Sequence, residues 1–218
     1  LGTVALASGA AVTVGVQPDG QIAVAVDAPT AALILGPDGA IQDAAANTGE
    51  IQADGGTVIV TAAALQTIFD RVVNQTGIIE ATSVVERAGR ILLAGEGGLI
   101  QHAGVISADT TVADGTAGAV TIHGDAQVLL TGTSRTTARG VASGAAGGTV
   151  EVLGEWVGLV DQAQIDVSGD ISGGTVRVGG AYQGQGATPT SARTFVGPAT
   201  GIRADALTRG NGGEVVVW

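Results

Sequence analysis

GGTVEV at 147–152 and GGTVRV at 173–178 are two copies of one phrase: a glycine pair, a spacer, then apolar-x-apolar. Working outward from them, the phrase recurs as GGTVIV (55–60), GRILL (89–93), GAVTI (118–122) and GGEVVV (212–217). Self-similarity of this kind signals a solenoid built of stacked units. Aligned on the glycine, the copies give one column of Val58, Ile91, Val120, Val150, Val176 and Val215. A second column holds Val60, Leu93, Ile122, Val152, Val178 and Val217. Every member is a branched aliphatic, which is what the inward face of a β-strand needs. Between the columns stand Ile59, Leu92, Thr121, Glu151, Arg177 and Val216, a mixed set that suits the opposite face of a period-2 strand.

A second phrase precedes most copies of the first: GEIQA (49–53), GIIEA (77–81), GVISA (104–108), AQVLL (126–130), AQIDV (163–167) and TGIRA (200–204). Its inward column is expected to be Ile51, Ile79, Ile106, Val128, Ile165 and Ile202. Starts at 49, 77, 104, 126 and 163 lie too close for a separate βαβ unit at every step. Each interval reads instead as one rung of a coil, made of two strands and a looser third. The fold class is therefore all-β, a right-handed single-stranded parallel β-helix of roughly seven rungs, with neighbouring strands about 4.8 Å apart.

Composition agrees with a narrow coil. In 218 residues there are 37 Gly and 5 Pro, aromatic residues are only 2%, and the apolar 45% is mostly Val, Ile, Leu and Ala. A thin core of small branched side chains follows. All nine cations are Arg, and against twenty carboxylates they leave a net charge of −11, which makes nucleic acid and acidic membranes poor partners. No apolar run approaches the ~18 residues of a membrane helix, so membrane insertion is not expected. There is no Cys, hence no disulfide and no thiolate metal site.

Two segments break the pattern. In TAAALQTIFDRVVNQ (61–75), Leu65, Ile68, Phe69 and Val72 fall at i, i+3, i+4, i+7, which predicts a short helical insertion near residues 62–72, docked by Phe69. AYQGQGATPTSARTFVGP (181–198) lacks periodicity and reads as a long loop off the rod. Otherwise residues 1–218 are expected to form one continuous β-helix segment of a longer protein. The chain opens with GTVALA at residue 2 and stops inside GGEVVVW, so further rungs or stacked subunits are expected beyond both.

Several phrases resemble the filamentous haemagglutinin-like adhesins that Gram-negative bacteria export by two-partner secretion. GTVALASGAAVTV (2–14) is similar to the G-x-V-x-L-A-x-G phrase that closes the family's secretion domain. NTGEIQADGG (47–56) and VVNQTGIIEA (72–81) resemble V-x-N-x-G-x-I-x-A. AQIDVSGDISGGTVRVGG (163–180) and ADALTRGNGGEVVVW (204–218) resemble I-D-V-S-G-x-x-G-G-T-V-x-V-G-G and G-x-G-G-x-V-x-V-W. The resemblance implies a secreted β-helical shaft, threaded unfolded through an outer-membrane transporter, that serves cell attachment, aggregation or biofilm matrix. It also implies self-association, other surface or matrix components, and host or cell-surface glycans as partners. The family's N-P-N-G-type secretion motif is absent from these residues, so by the resemblance transporter recognition is expected upstream.

Parallel β-helices also include polysaccharide lyases and glycosidases, so a carbohydrate-active enzyme is the alternative. Its candidate carboxylates are Glu151 with Glu155 and Asp161 with Asp166, since a glycosidase needs two acids about 5–9.5 Å apart. Solvated surface charge explains them more cheaply, and no enzyme activity, cofactor or metal is expected. His102 and His123 lack metal-ligand spacing and read as surface or strand-edge residues; Asp109 and Asp114 are at most weak calcium ligands. The residues expected to serve surface recognition are Tyr182, Trp156 and Arg193. Of these, Trp156 in EWVGLV is expected to pack at a corner, while Tyr182 has the better claim to exposure; Trp218 is a further aromatic that could stack on a partner.

Overall fold

A strand whose two faces differ must still satisfy every backbone N–H and C=O, and a repeat does so by pairing each strand with its copy one rung on. The computed structural model describes residues 2–17, 22–33, 35–65, 68–84 and 88–218. Strands account for 51% of the chain and helical turns for 1%, and the protein is a parallel β-solenoid.

Three parallel sheets run its length. The first contains β1 (Thr3–Ser8), β6 (Thr57–Ala63), β9 (Arg90–Glu96), β12 (Ala119–Gly124), β15 (Thr149–Leu153), β18 (Thr175–Val178) and β21 (Glu214–Val217), in that order. The second contains β4 (Ala45–Asn47), β7 (Val73–Gln75), β10 (Leu99–His102), β13 (Gln127–Leu130), β16 (Trp156–Leu159) and β19 (Arg193–Val196). The third contains β5 (Glu50–Gln52), β8 (Ile78–Glu80), β11 (Val105–Ser107), β14 (Arg135–Thr137), β17 (Gln164–Asp166) and β20 (Gly201–Arg203). An antiparallel hairpin of β2 (Ala11–Val16) and β3 (Ile22–Ala28) follows β1. Its Val14 and Val16 are exposed, an apolar hairpin the periodicity of the solenoid does not announce.

In the first sheet the register is uniform. Val58 pairs with Ile91, Ile91 with Val120, Val120 with Val150, Val150 with Val176 and Val176 with Val215; the Val60 column runs in parallel two residues on. β1 adds Val4 and Leu6 to these columns. From Val58 to Val178 every member is buried, whereas Val215 and Val217 are about half exposed. The glycines of the phrase are explained by a close approach. A Cβ on Gly118, Gly148, Gly174 or Gly213 would run into the carbonyl oxygen of the preceding glycine of the stack, so only glycine lets the rungs approach at this corner.

The third sheet carries the second phrase, with one correction. Its inward column is Ile51, Ile79, Ile106, Thr136, Ile165 and Ile202. Val128 is not in it; it lies in the second sheet between Ile100 and Val157. Strands of the two sheets share one apolar-x-apolar pattern, and the buried Thr136 hides the true member of the column. The second sheet also brings a polar row inside, Asn47, Gln75 and His102, before Leu130 and Leu159 take over the position. Asn47 Nδ2 donates to Gln75 Oε1 (2.9 Å), and Gln75 Nε2 donates to the carbonyl of Gly77 (2.9 Å), so the corner is held by side-chain amides. The N-x-G element of the resemblance therefore falls on this corner. In the second copy the inward place belongs to Gln75, while Asn74 faces out to Asp43 (2.6 Å).

The helix over 61–75 does not form among the described residues; Gln66 and Thr67 lie outside them. Thr61, Ala62 and Ala63 instead extend β6 beside Ala94, Gly95 and Glu96, and β7 begins at Val73. Ile68 and Phe69 pack against the core from a bend between the two strands. Paired strands on both sides of β6 outweigh a local helical period. The loop expected over 181–198 is also shorter. It contains a 3-10 turn at Tyr182–Gly184, and Arg193–Val196 is β19.

Candidate functional site

In β16 the alternation of a strand sends Val157 and Leu159 inward and leaves Trp156 and Gly158 on the outer face. Its neighbours place matching pairs beside them: Gln127 and Leu129 from β13, Arg193 and Phe195 from β19. Two outward rows result, Gln127–Trp156–Arg193 and Leu129–Gly158–Phe195. β19 is held in this register by the loop before it. Ser191 Oγ donates to the carbonyl of Gly154 (2.6 Å), and the amide of Ala192 donates to that of Glu155 (2.7 Å).

Trp156 is 50% exposed and Phe195 59%. The Arg193 guanidinium carbon sits 5.3 Å from the centroid of the Trp156 ring, a cation–π contact. The empty position at Gly158 opens a cleft of about 500 Å³ between Leu129 and Phe195, within the range of small-ligand clefts. Among the described residues Arg193 is the one charged residue lining it. The arrangement offers flat aromatic surface, an amide at Gln127 and a guanidinium fork, which suits binding.

The sequence brought forward three recognition residues, and the structure joins two of them, Trp156 and Arg193. Trp156 does not pack at a buried corner; it stands outward at the start of β16. Tyr182 is 64% exposed on the loop and does not line this cleft. Phe195 and Gly158 were missed, although the alternation of TFV before GP carries a strand signal. Trp218 is about half exposed beyond β21.

Three of the four candidate acids accept hydrogen bonds within the protein. Glu151 accepts from Arg177 (2.9 Å), its neighbour in register. The Thr131 hydroxyl and Gly132 amide hold the Asp161 carboxyl below the usual range, the reverse of what a general acid needs. Asp166 accepts from the Ser168 amide (2.9 Å), and Glu155 is exposed. Asp109 is buried and paired with Arg139 (2.8 Å), while Asp114 is exposed at a turn.

His123 is exposed, but His102 is not a surface residue. It is fully buried, and neither ring nitrogen has a hydrogen-bond partner among the described residues. Burial pushes its pKa down to about 4, and the carbonyls of Gln75 and Arg135, which face the ring without bonding geometry, offset little of this. Among the described residues no three His, Asp or Glu side chains converge on a metal position, and no helix is long and apolar enough to cross a membrane. Compared with protein-family models, with curated proteins and with solved structures, the chain finds no match.

Proposed function

We propose that this chain is part of an extracellular structural and adhesive shaft, similar in kind to the filamentous haemagglutinin-like proteins exported by two-partner secretion. The observation that carries the reading is the division of labour in the solenoid. Its repeated phrases go into columns, corners and turns, and its candidate acids into turns and ion pairs, leaving an aromatic cleft on an outer face as the site with recognition chemistry. The phrases that resemble the adhesin family fall on these structural positions, the glycine stack and the amide corner. A rod of this kind presents a binding face away from a cell, and its partners are surface or matrix components, glycans among them, with an outer-membrane transporter acting during export.

Deleting the coding region for these residues from the chromosomal gene, with secretion of the remaining protein verified by immunoblot, should reduce attachment or aggregation of the producing cells. Normal attachment by cells that secrete the shortened protein refutes the reading. So does reproducible cleavage of a polysaccharide by the purified chain that disappears when Glu151, Glu155, Asp161 and Asp166 are substituted, which would establish the β-helix enzyme instead.

A further inference from the structure

We infer that the cleft between β13, β16 and β19 binds a glycan containing uronic acid, one pyranose lying on Trp156 and Phe195 with its carboxylate on Arg193. The inference rests on the adhesive reading above and names the class of ligand for its exposed face.

Gly158 supplies the first reason. A glycine inside a strand weakens it, and at Gly118, Gly148, Gly174 and Gly213 of the first sheet close backbone approach accounts for the residue. At Gly158 no such reason exists. A Cβ there would meet only Cδ1 of Leu129, at 2.9 Å, the far end of a flexible side chain. What the missing side chain does is leave the cleft open between Leu129 and Phe195, where Trp156 and Phe195 remain half exposed.

Charge supplies the second. The protein carries a net −11, yet among the described residues this cleft is lined by a cation and no anion. Arg193, like Arg90, Arg135, Arg203 and Arg209, has no carboxylate within ion-pair distance among the described residues, and what sets it apart is that it rests on the Trp156 ring. Its planar fork matches a carboxylate in two parallel hydrogen bonds, and the Gln127 amide on the far side of Trp156 can meet hydroxyls. Aromatic faces stack on the C–H faces of a pyranose. A hydrophobic peptide would use the aromatic surface and leave the guanidinium unanswered.

The test is calorimetric titration of the full chain with hexasaccharides of galacturonate, of mannuronate and of alternating glucuronate and N-acetylglucosamine, with the neutral N-acetylglucosamine hexamer as reference. Saturable binding of at least one uronate probe, about tenfold or more tighter than the neutral hexamer, is expected. Trp156→Ala and Phe195→Ala should each weaken it about tenfold, and Arg193→Gln should abolish the preference over the neutral sugar. Gly158→Leu, which fills the cleft, should remove binding with circular dichroism and thermal midpoint retained. No saturable binding of any uronate probe overturns the inference, as does undiminished binding by folded Gly158→Leu, or a preference that survives Arg193→Gln. If these fail while deletion still abolishes attachment, the ligand assignment falls and the adhesive shaft stands. If binding holds but deletion leaves attachment intact, the adhesive reading falls alone.

Discussion

His102 makes the stability of this solenoid depend on pH in a way that can be separated from every other group. The ring is fully buried in the second sheet, between Gln75 and Leu130 in its column, with both nitrogens unpaired among the described residues. Its pKa falls from 6.5 to about 4 because burial disfavours the imidazolium. The unfolded chain therefore binds the proton more readily, and stability rises with pH between these values. The contribution is fully present above pH 6.5 and is lost progressively as pH falls towards 4. At 1.36 kcal/mol per unit the whole effect is roughly 3 kcal/mol, a large part of the ~5–15 kcal/mol that holds typical domains.

His102→Leu continues the apolar column of Leu130 and Leu159 and breaks no hydrogen bond, so it should abolish this dependence and stabilise the fold at neutral pH by about 1–3 kcal/mol through removal of unpaired buried nitrogens. Guanidinium unfolding followed by circular dichroism at pH 7.5 and 4.5 reads both effects. The wild type should lose about 2–3 kcal/mol more than the variant across that interval, the exposed His123 and the carboxylates being common to both. Equal losses in the two proteins refute the assignment of a buried neutral imidazole.

Thr136, buried in the isoleucine column with an unpaired hydroxyl, should yield to Thr136→Val with a gain of about 1 kcal/mol in chemical denaturation. Gly148→Val should lose more than about 3 kcal/mol or fail to fold, because the new side chain meets the Gly118 carbonyl; a thermal midpoint near that of the wild type would contradict the glycine stack. A double-mutant cycle on Glu151 and Arg177 should give a coupling of only ~0.2–1 kcal/mol, falling with salt, since both side chains are partly solvated.

The sequence by itself determined the repeat, the first sheet and its register. Branched aliphatics at every second position, reset by glycine, fit one arrangement, and a slip of one residue would turn Glu151 and Arg177 into the core. It also determined that the glycines matter, though not that a carbonyl of the rung before occupies the place of each Cβ. Tertiary structure alone decided what the local signal left degenerate. Thr136 takes the place expected of Val128 because strands of the second and third sheets are short and patterned alike, so only pairing distinguishes them. The segment 61–75 carries a helical period, yet β6 keeps its backbone in two ladders as far as Ala62. His102 reads as polar and becomes core because its place in the row is set by Gln75 and Leu130, residues of other rungs. The cleft depends on the same long-range pairing. Trp156, Gly158, Arg193 and Phe195 come together only when the loop before β19 folds back onto the carbonyls of Gly154 and Glu155, a contact between rungs that no local pattern encodes.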